Sequence, residues 1–119
     1  INDTEIDLTL ARRVIDQSIK FEVKKITVQK IQEVVCDYFN IRKDLIQSKS
    51  RKREIVQARQ VAMYFTKAHT ELSLAQIGSH IGKRNHATVL HSCNTVRGLI
   101  EVDKTFRSNV EEIERILHI

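Results

Sequence analysis

The chain has no proline and no tryptophan, only three glycines and two cysteines, and aromatic residues make up just 5% of it. Without proline and with so little glycine, a fold built on many tight turns is excluded, because those residues supply the backbone angles that such turns require. Long, uninterrupted helices are expected instead. No apolar run approaches the roughly 20 residues needed to cross a bilayer. No charged and then apolar leader opens the chain, so a cytoplasmic protein is expected. Cys36 and Cys93 both lie in apolar helical surroundings. They are expected to be free, buried thiols of a reducing compartment, and their spacing does not suit zinc. The chain begins at Ile1 rather than Met, as expected of a piece of a longer protein.

What is present is charge, unevenly placed. The 119 residues carry a net +5. Residues 1–26 hold five cations and five acids, residues 27–98 twelve and five, and residues 99–119 three and five. A basic middle with neutral or acidic ends makes a concentrated field that attracts polyanions: nucleic acid or an acidic membrane surface.

Apolar residues recur at helical spacing throughout, and no strand-like alternation holds over a useful length. Ile6, Leu10, Val14 and Phe21 mark an amphipathic helix over 4–24. Thr27 opens a second, with Val28, Ile31, Val34, Val35, Tyr38 and Phe39 as its stripe and Asn40 at its end. A short helical turn is expected at 44–46. The basic stretch Lys49, Ser50, Arg51, Lys52, Arg53 then precedes a long helix to about residue 70, with Ile55, Val56, Arg59, Val61, Ala62, Phe65 and Ala68 along its stripe. Ser73 and Gln76 have the spacing of a capping box, with Leu74, Ile77 and Ile81 facing inward. Gly78 would permit close packing and Gly82 supplies a turn. The next helix is expected over 85–99 with Val89, Leu90, Cys93, Val96 and Ile100 buried. Val102, Phe106, Val110, Ile113 and Leu117 mark the last. The reading is an all-α, compact helical domain of six or seven helices preceded by a long connecting helix.

The helix 73–81, the glycine turn and the helix 85–99 together have the form of a helix-turn-helix, whose second helix enters a major groove by its N-terminal end. With the apolar stripe turned inward, Arg84, Ala87, Thr88, His91, Asn94 and Thr95 fall on the outer face. Asn85 and His86 lie nearer the buried side but sit at the open start of the helix, from which they can project. Asparagine can pair with adenine, and a methyl such as that of Ala87 can contact thymine; Asn85 is equally suited to capping the helix. The basic stretch at 49–53 lies at a helix start rather than in a tail. There an arginine is placed to enter a narrow minor groove while a nearby helix reads the major groove.

Other chemistries find little support. His86 and His91 are five residues apart and so miss the i, i+4 spacing with which two histidines share a metal. Cys93 points inward, which removes it as a nucleophile. No phosphate-binding loop of the G-x-x-x-x-G-K-[ST] kind is present, so ATP is not expected to bind here, and no paired carboxylates suggest an enzyme. The competing class is a helical adaptor that docks acidic partners or membrane through the apolar face of the helix 4–24.

The run Leu74, Ala75, Gln76, Ile77, Gly78, continuing through Gly82, Lys83, Arg84, Asn85, His86, Ala87, Thr88, Val89, Leu90 and His91, closely resembles the C-terminal signature of the DnaA family of bacterial chromosomal replication initiators. The stretch from Ser48 to Arg53 and the run Ala58, Arg59, Gln60, Val61, Ala62, Met63, Tyr64 resemble that family's basic loop and the long helix after it. The resemblance covers about residues 26–117. More loosely, residues 1–25 resemble the end of the ATPase lid and the connecting helix. It implies a domain over 26–119 that binds double-stranded DNA at short asymmetric DnaA boxes in the replication origin. The counterpart of Arg51 would lie in the minor groove and those of Asn85, His86, Ala87 and Thr88 in the major groove. Lys49, Arg53, Arg59, Gln60, Leu74, Ala75 and His91 would approach phosphates, with Lys83 and Arg84 adding cations close by. For the parent protein it implies an ATP-binding core, self-assembly on the origin, and acidic phospholipid as a partner near the connecting helix. The chain departs from the family pattern at Asn85, where aspartate is usual. It also departs at Ala87 (threonine), Lys83 (glycine) and Ala75 (often proline). These changes are expected to shift box preference without altering the class.

Overall fold

The computed structural model describes residues 26–119. The expected helix at 4–24 and the boundary near residue 25 lie outside the described residues. Six helices follow in order: α1 (Val28–Phe39), α2 (Lys43–Ile46), α3 (Arg53–His69), α4 (Leu74–His80), α5 (His86–Val102) and α6 (Lys104–Leu117). No strand occurs among the described residues, so the all-α reading holds.

Four of the six helices, α1, α4, α5 and α6, begin where the sequence offers a side-chain acceptor for an amide that the helix itself leaves unpaired. Thr27 Oγ1 accepts from the Lys30 amide at 3.1 Å. Ser73 and Gln76 form the expected capping box, each side chain accepting from the other's amide, at 3.2 and 2.9 Å. Asp103 ends α5 in an extended conformation and opens α6 by accepting from the Phe106 amide at 3.0 Å. At the C-terminal end of α1, Asn40 takes the left-handed conformation (φ 56°), and its amide donates back to Asp37 and Cys36.

The centre of the fold is α3, which packs against α1 and α5 and touches α2 and α4; α5 also packs on α4 and α6, and α6 returns to α1. Ile31, Val35, Ile46, Met63, Phe65, Ile77, Ile81, Val89, Val96 and Ile113 have almost no exposed surface. Each such side chain contributes about 1.5–3 kcal/mol relative to an exposed one. Cys36 and Cys93 are free and buried, and burial pushes both thiols up.

Three expected core positions are corrected. Leu90 is 48% exposed. It stands about 100° round α5 from Val89, off the line Val89–Cys93–Val96 that α3 and α4 cover. Val102 is 80% exposed because it ends α5 rather than beginning α6; the break falls one residue later, at Asp103. Ala68 is exposed near the end of α3, whereas Met63 and Thr66 are buried there. The Thr66 hydroxyl is satisfied by donating to Ala62 O at 2.8 Å.

Candidate nucleic-acid interface

The turn between α4 and α5 is built on backbone conformations that few residues tolerate. Gly82 has φ 76° and Lys83 has φ 50°, two successive residues in the left-handed region. For Lys83 this costs roughly 1 kcal/mol, because its Cβ crowds the following carbonyl. Gly78 is required for a different reason. The Arg84 amide donates to Gly78 O at 2.9 Å, and a Cβ on Gly78 would lie 2.0 Å from Arg84 O. The glycine therefore lets the end of the turn rest on α4, a closer approach than helix packing alone would demand.

Asn85 caps α5: its Oδ1 accepts from the Thr88 amide at 2.9 Å. Asn85, His86, Ala87 and Thr88 are all exposed on the first turn. In the second turn Val89 is fully buried and holds this end of α5 against the core.

The loop 47–52 is shaped from beneath by Arg59. This residue lies on the stripe of α3 that faces inward and is 6% exposed. Its Nε donates to Ile46 O at 2.9 Å, and its Nη2 donates to Ser48 O at 2.7 Å and Ser50 O at 3.4 Å. Burial first, and then the nearby Arg84 charge, lower its pKa from the ordinary arginine value; the three carbonyl oxygens offset that cost by satisfying the cation. Expected as a phosphate ligand, Arg59 thus has most of its donor capacity committed within the protein. Above it the loop braces itself: Ser48 Oγ donates to Leu45 O, and the Ser50 amide to Ser48 Oγ.

Loop and turn meet around one hollow of about 220 Å³, lined by Lys49, Arg51, Arg59, Gln60, Arg84, Thr88 and His91 among others. Seven of the residues singled out in the sequence are therefore neighbours in space. Asn85, His86 and Ala87 adjoin them on α5. Lys83 is exposed on the turn and Arg53 at the start of α3, while Ala75 is exposed and Leu74 half-buried at the start of α4. The ion pairs among the described residues are Arg42–Asp44, Lys43–Glu33 and Arg115–Glu112. None of them neutralises Lys49, Arg51, Lys52, Arg53, Lys83 or Arg84, so among the described residues no ion pair offsets the positive field of this face. No group of acids, histidines or cysteines able to hold a metal occurs among the described residues, and no described helix is long and apolar enough to cross a membrane.

Gln47 had no place in the sequence reading. It carries no charge, belongs to no stripe and resembles no motif, yet its side chain joins the loop to the turn.

Residues 28–96 match the family model described as bacterial dnaA protein helix-turn-helix. The chain is 52% identical over 117 residues to the chromosomal replication initiator protein DnaA of Bacteroides fragilis, covering 98% of the chain and 25% of that relative. It is 47% identical over 118 residues to the protein of that name from Flavobacterium psychrophilum (99% and 25%) and 37% identical over 119 residues to that from Chlorobaculum tepidum (100% and 24%). The chain spans about a quarter of the length of these curated relatives. The matched part is a DNA-binding rather than a catalytic unit. The chain belongs to the bacterial DnaA helix-turn-helix family, the part of replication initiators that binds DNA.

Proposed function

We propose that this chain binds double-stranded DnaA boxes at a replication origin and reads each box with two elements at once. The observation that carries this reading is the ring of uncompensated cations around one hollow, beside an exposed, polar first turn of a helix. The cations supply affinity that is largely independent of sequence, by displacing counterions from phosphates. The first turn of α5 supplies base contacts in the major groove, and Arg51 supplies them in the minor groove.

The roles divide by chemistry. Asn85 has its Oδ1 engaged by the Thr88 amide, so its Nδ2 is the group left to donate to a base acceptor. Ala87 offers a methyl to thymine, and His86 and Thr88 offer hydrogen bonds. Lys49, Arg53, Lys83, Arg84, Gln60 and His91 approach phosphates, with Arg59 lending its charge from the floor of the hollow. At the start of α4 the capping box uses the amides of Ser73 and Gln76 and leaves those of Leu74 and Ala75 for a phosphate oxygen. For the longer protein the same reading includes an ATP-binding core, self-assembly on the origin, contact with acidic phospholipid near the connecting helix, and a place in the cytoplasm on the nucleoid.

The test is binding to a box duplex against a scrambled duplex of equal length, followed by fluorescence anisotropy across a salt series. Arg51→Ala and His86→Ala should each weaken box binding by about 1–3 kcal/mol and scrambled binding by much less. Lys49→Ala should weaken both alike and reduce the salt slope by about 1. Equal losses on both duplexes for Arg51→Ala and His86→Ala would rule out base reading by those residues.

A further inference from the structure

Gln47 is the last residue of the α2 turn and stands between two differently held segments. Before it, Ile46 is fully buried and its carbonyl is fixed by Arg59. After it comes the arm that carries Lys49 and Arg51. Its side-chain amide faces away from its own loop, toward the turn between α4 and α5. Oε1 accepts from the Gly82 amide at 2.8 Å, and Nε2 donates to His80 O at 2.9 Å. Nε2 also donates to Gln32 Oε1 on α1.

The two backbone groups are ones the fold would otherwise leave open. The His80 carbonyl is at the C-terminal end of α4, where helix carbonyls lack internal partners. The Gly82 amide belongs to a residue at φ 76°, which cannot continue the helical ladder. One amide group therefore satisfies both an acceptor and a donor across the turn. Among the described residues, the other hydrogen bond that joins the 47–52 loop to this turn is a 3.5 Å contact from Arg84 Nη2 to Ser48 O.

We propose that Gln47 is a positioning residue: it fixes the distance between the arm that carries Arg51 and the turn that launches α5, and so sets the spacing of base pairs that the two elements read together. The inference rests on the proposed two-element reading of the box. A bidentate amide holds its partners to within a few tenths of an ångström, whereas one base pair advances a DNA strand by about 3.4 Å. The rigid coupling therefore selects one spacing and rejects its neighbours.

The test uses four duplexes: a DnaA box, the same box with one base pair inserted or removed between the segments that wild-type protein protects in the minor and the major groove, and a scrambled sequence. Wild-type protein should lose at least about tenfold in affinity on either spacing variant. Gln47→Ala should bind the native box about fivefold more weakly, the net worth of one hydrogen bond, since two of its three bonds are exposed and the third is only part-buried. Its discrimination between the native and altered spacings should fall below about threefold, with scrambled-duplex affinity and salt slope unchanged. Gln47→Glu keeps an acceptor for the Gly82 amide but turns a carboxylate oxygen toward His80 O, an acceptor facing an acceptor, so it should lose the spacing discrimination as Gln47→Ala does. Since Gln47 is exposed, each variant should keep the wild-type helical content by circular dichroism. If Gln47→Ala keeps the wild-type spacing penalty, or wild-type protein shows none, Gln47 does not set spacing even though box reading stands. If wild-type protein does not distinguish the box from the scrambled duplex, the two-element reading itself fails and this inference fails with it.

Discussion

The turn at 81–85 and the loop at 47–52 lie against each other on one face, yet their shapes come from different sources. The turn is specified by its own letters and those just before it. Gly82 supplies a left-handed backbone, Gly78 clears room for Arg84, and Asn85 caps the helix that follows. The loop contains no glycine and no proline, and apart from its serine hydroxyls little in it dictates a path. Arg59, a third of the way along α3, holds the carbonyls of Ser48 and Ser50 in the loop and that of Ile46 just before it, and Gln47 ties the loop's near end to the turn. A segment shaped locally should fail abruptly when its own residues change. A segment shaped from a distance should loosen when the remote residue is lost, with its own sequence intact.

The strongest way to sharpen that contrast is Gly78→Ala. The new methyl would meet backbone, which cannot swing away as a side chain can, so the turn must move. A loss of about 3 kcal/mol in stability is expected, together with loss of box binding. Chemical denaturation measures the first and anisotropy the second. An alanine variant of wild-type stability would show that the turn tolerates a second path.

Next in size is Arg59→Ala, which leaves three carbonyls without their charged donor. About 2–3 kcal/mol of destabilisation is expected. Amide hydrogen exchange should show the loss concentrated at 47–52 while α5 keeps its protection. If protection falls equally in the loop and the turn, the two are one unit and the comparison collapses. The smallest effect concerns Lys83, whose left-handed conformation glycine adopts freely. Lys83→Gly should stabilise the fold by about 1 kcal/mol or less. On the proposed reading of Lys83 as a phosphate contact, it should also reduce the salt slope of DNA binding by up to about 1. A thermal melt and a salt titration separate these two outcomes.

Legibility in the sequence follows the same divide. Helix limits were readable where a cap or a left-handed terminus marks them: Thr27, Asn40 and the Ser73–Gln76 box all stand where the spacing placed them. Leu90 and Val102 misled because an apolar side chain at a stripe's edge, or at a helix end, looks the same in sequence as one inside it. Arg59 was placed on the inward stripe by periodicity and on the phosphate surface by resemblance. It occupies the floor of the hollow, buried and bound to carbonyls that no local pattern announces. Gln47 left no trace at all, because its partners lie 15, 33 and 35 residues away.

Asn85 has a consequence for how such a domain can diverge. The helix start asks only for a short side-chain oxygen that accepts from the Thr88 amide, and asparagine and aspartate meet that demand about equally well. Exchanging one for the other leaves the fold in place and alters only what is presented outward: an amide hydrogen in one case, a negative charge in the other. If position 85 reads bases as proposed, an exchange there changes the preferred base without passing through an unstable intermediate.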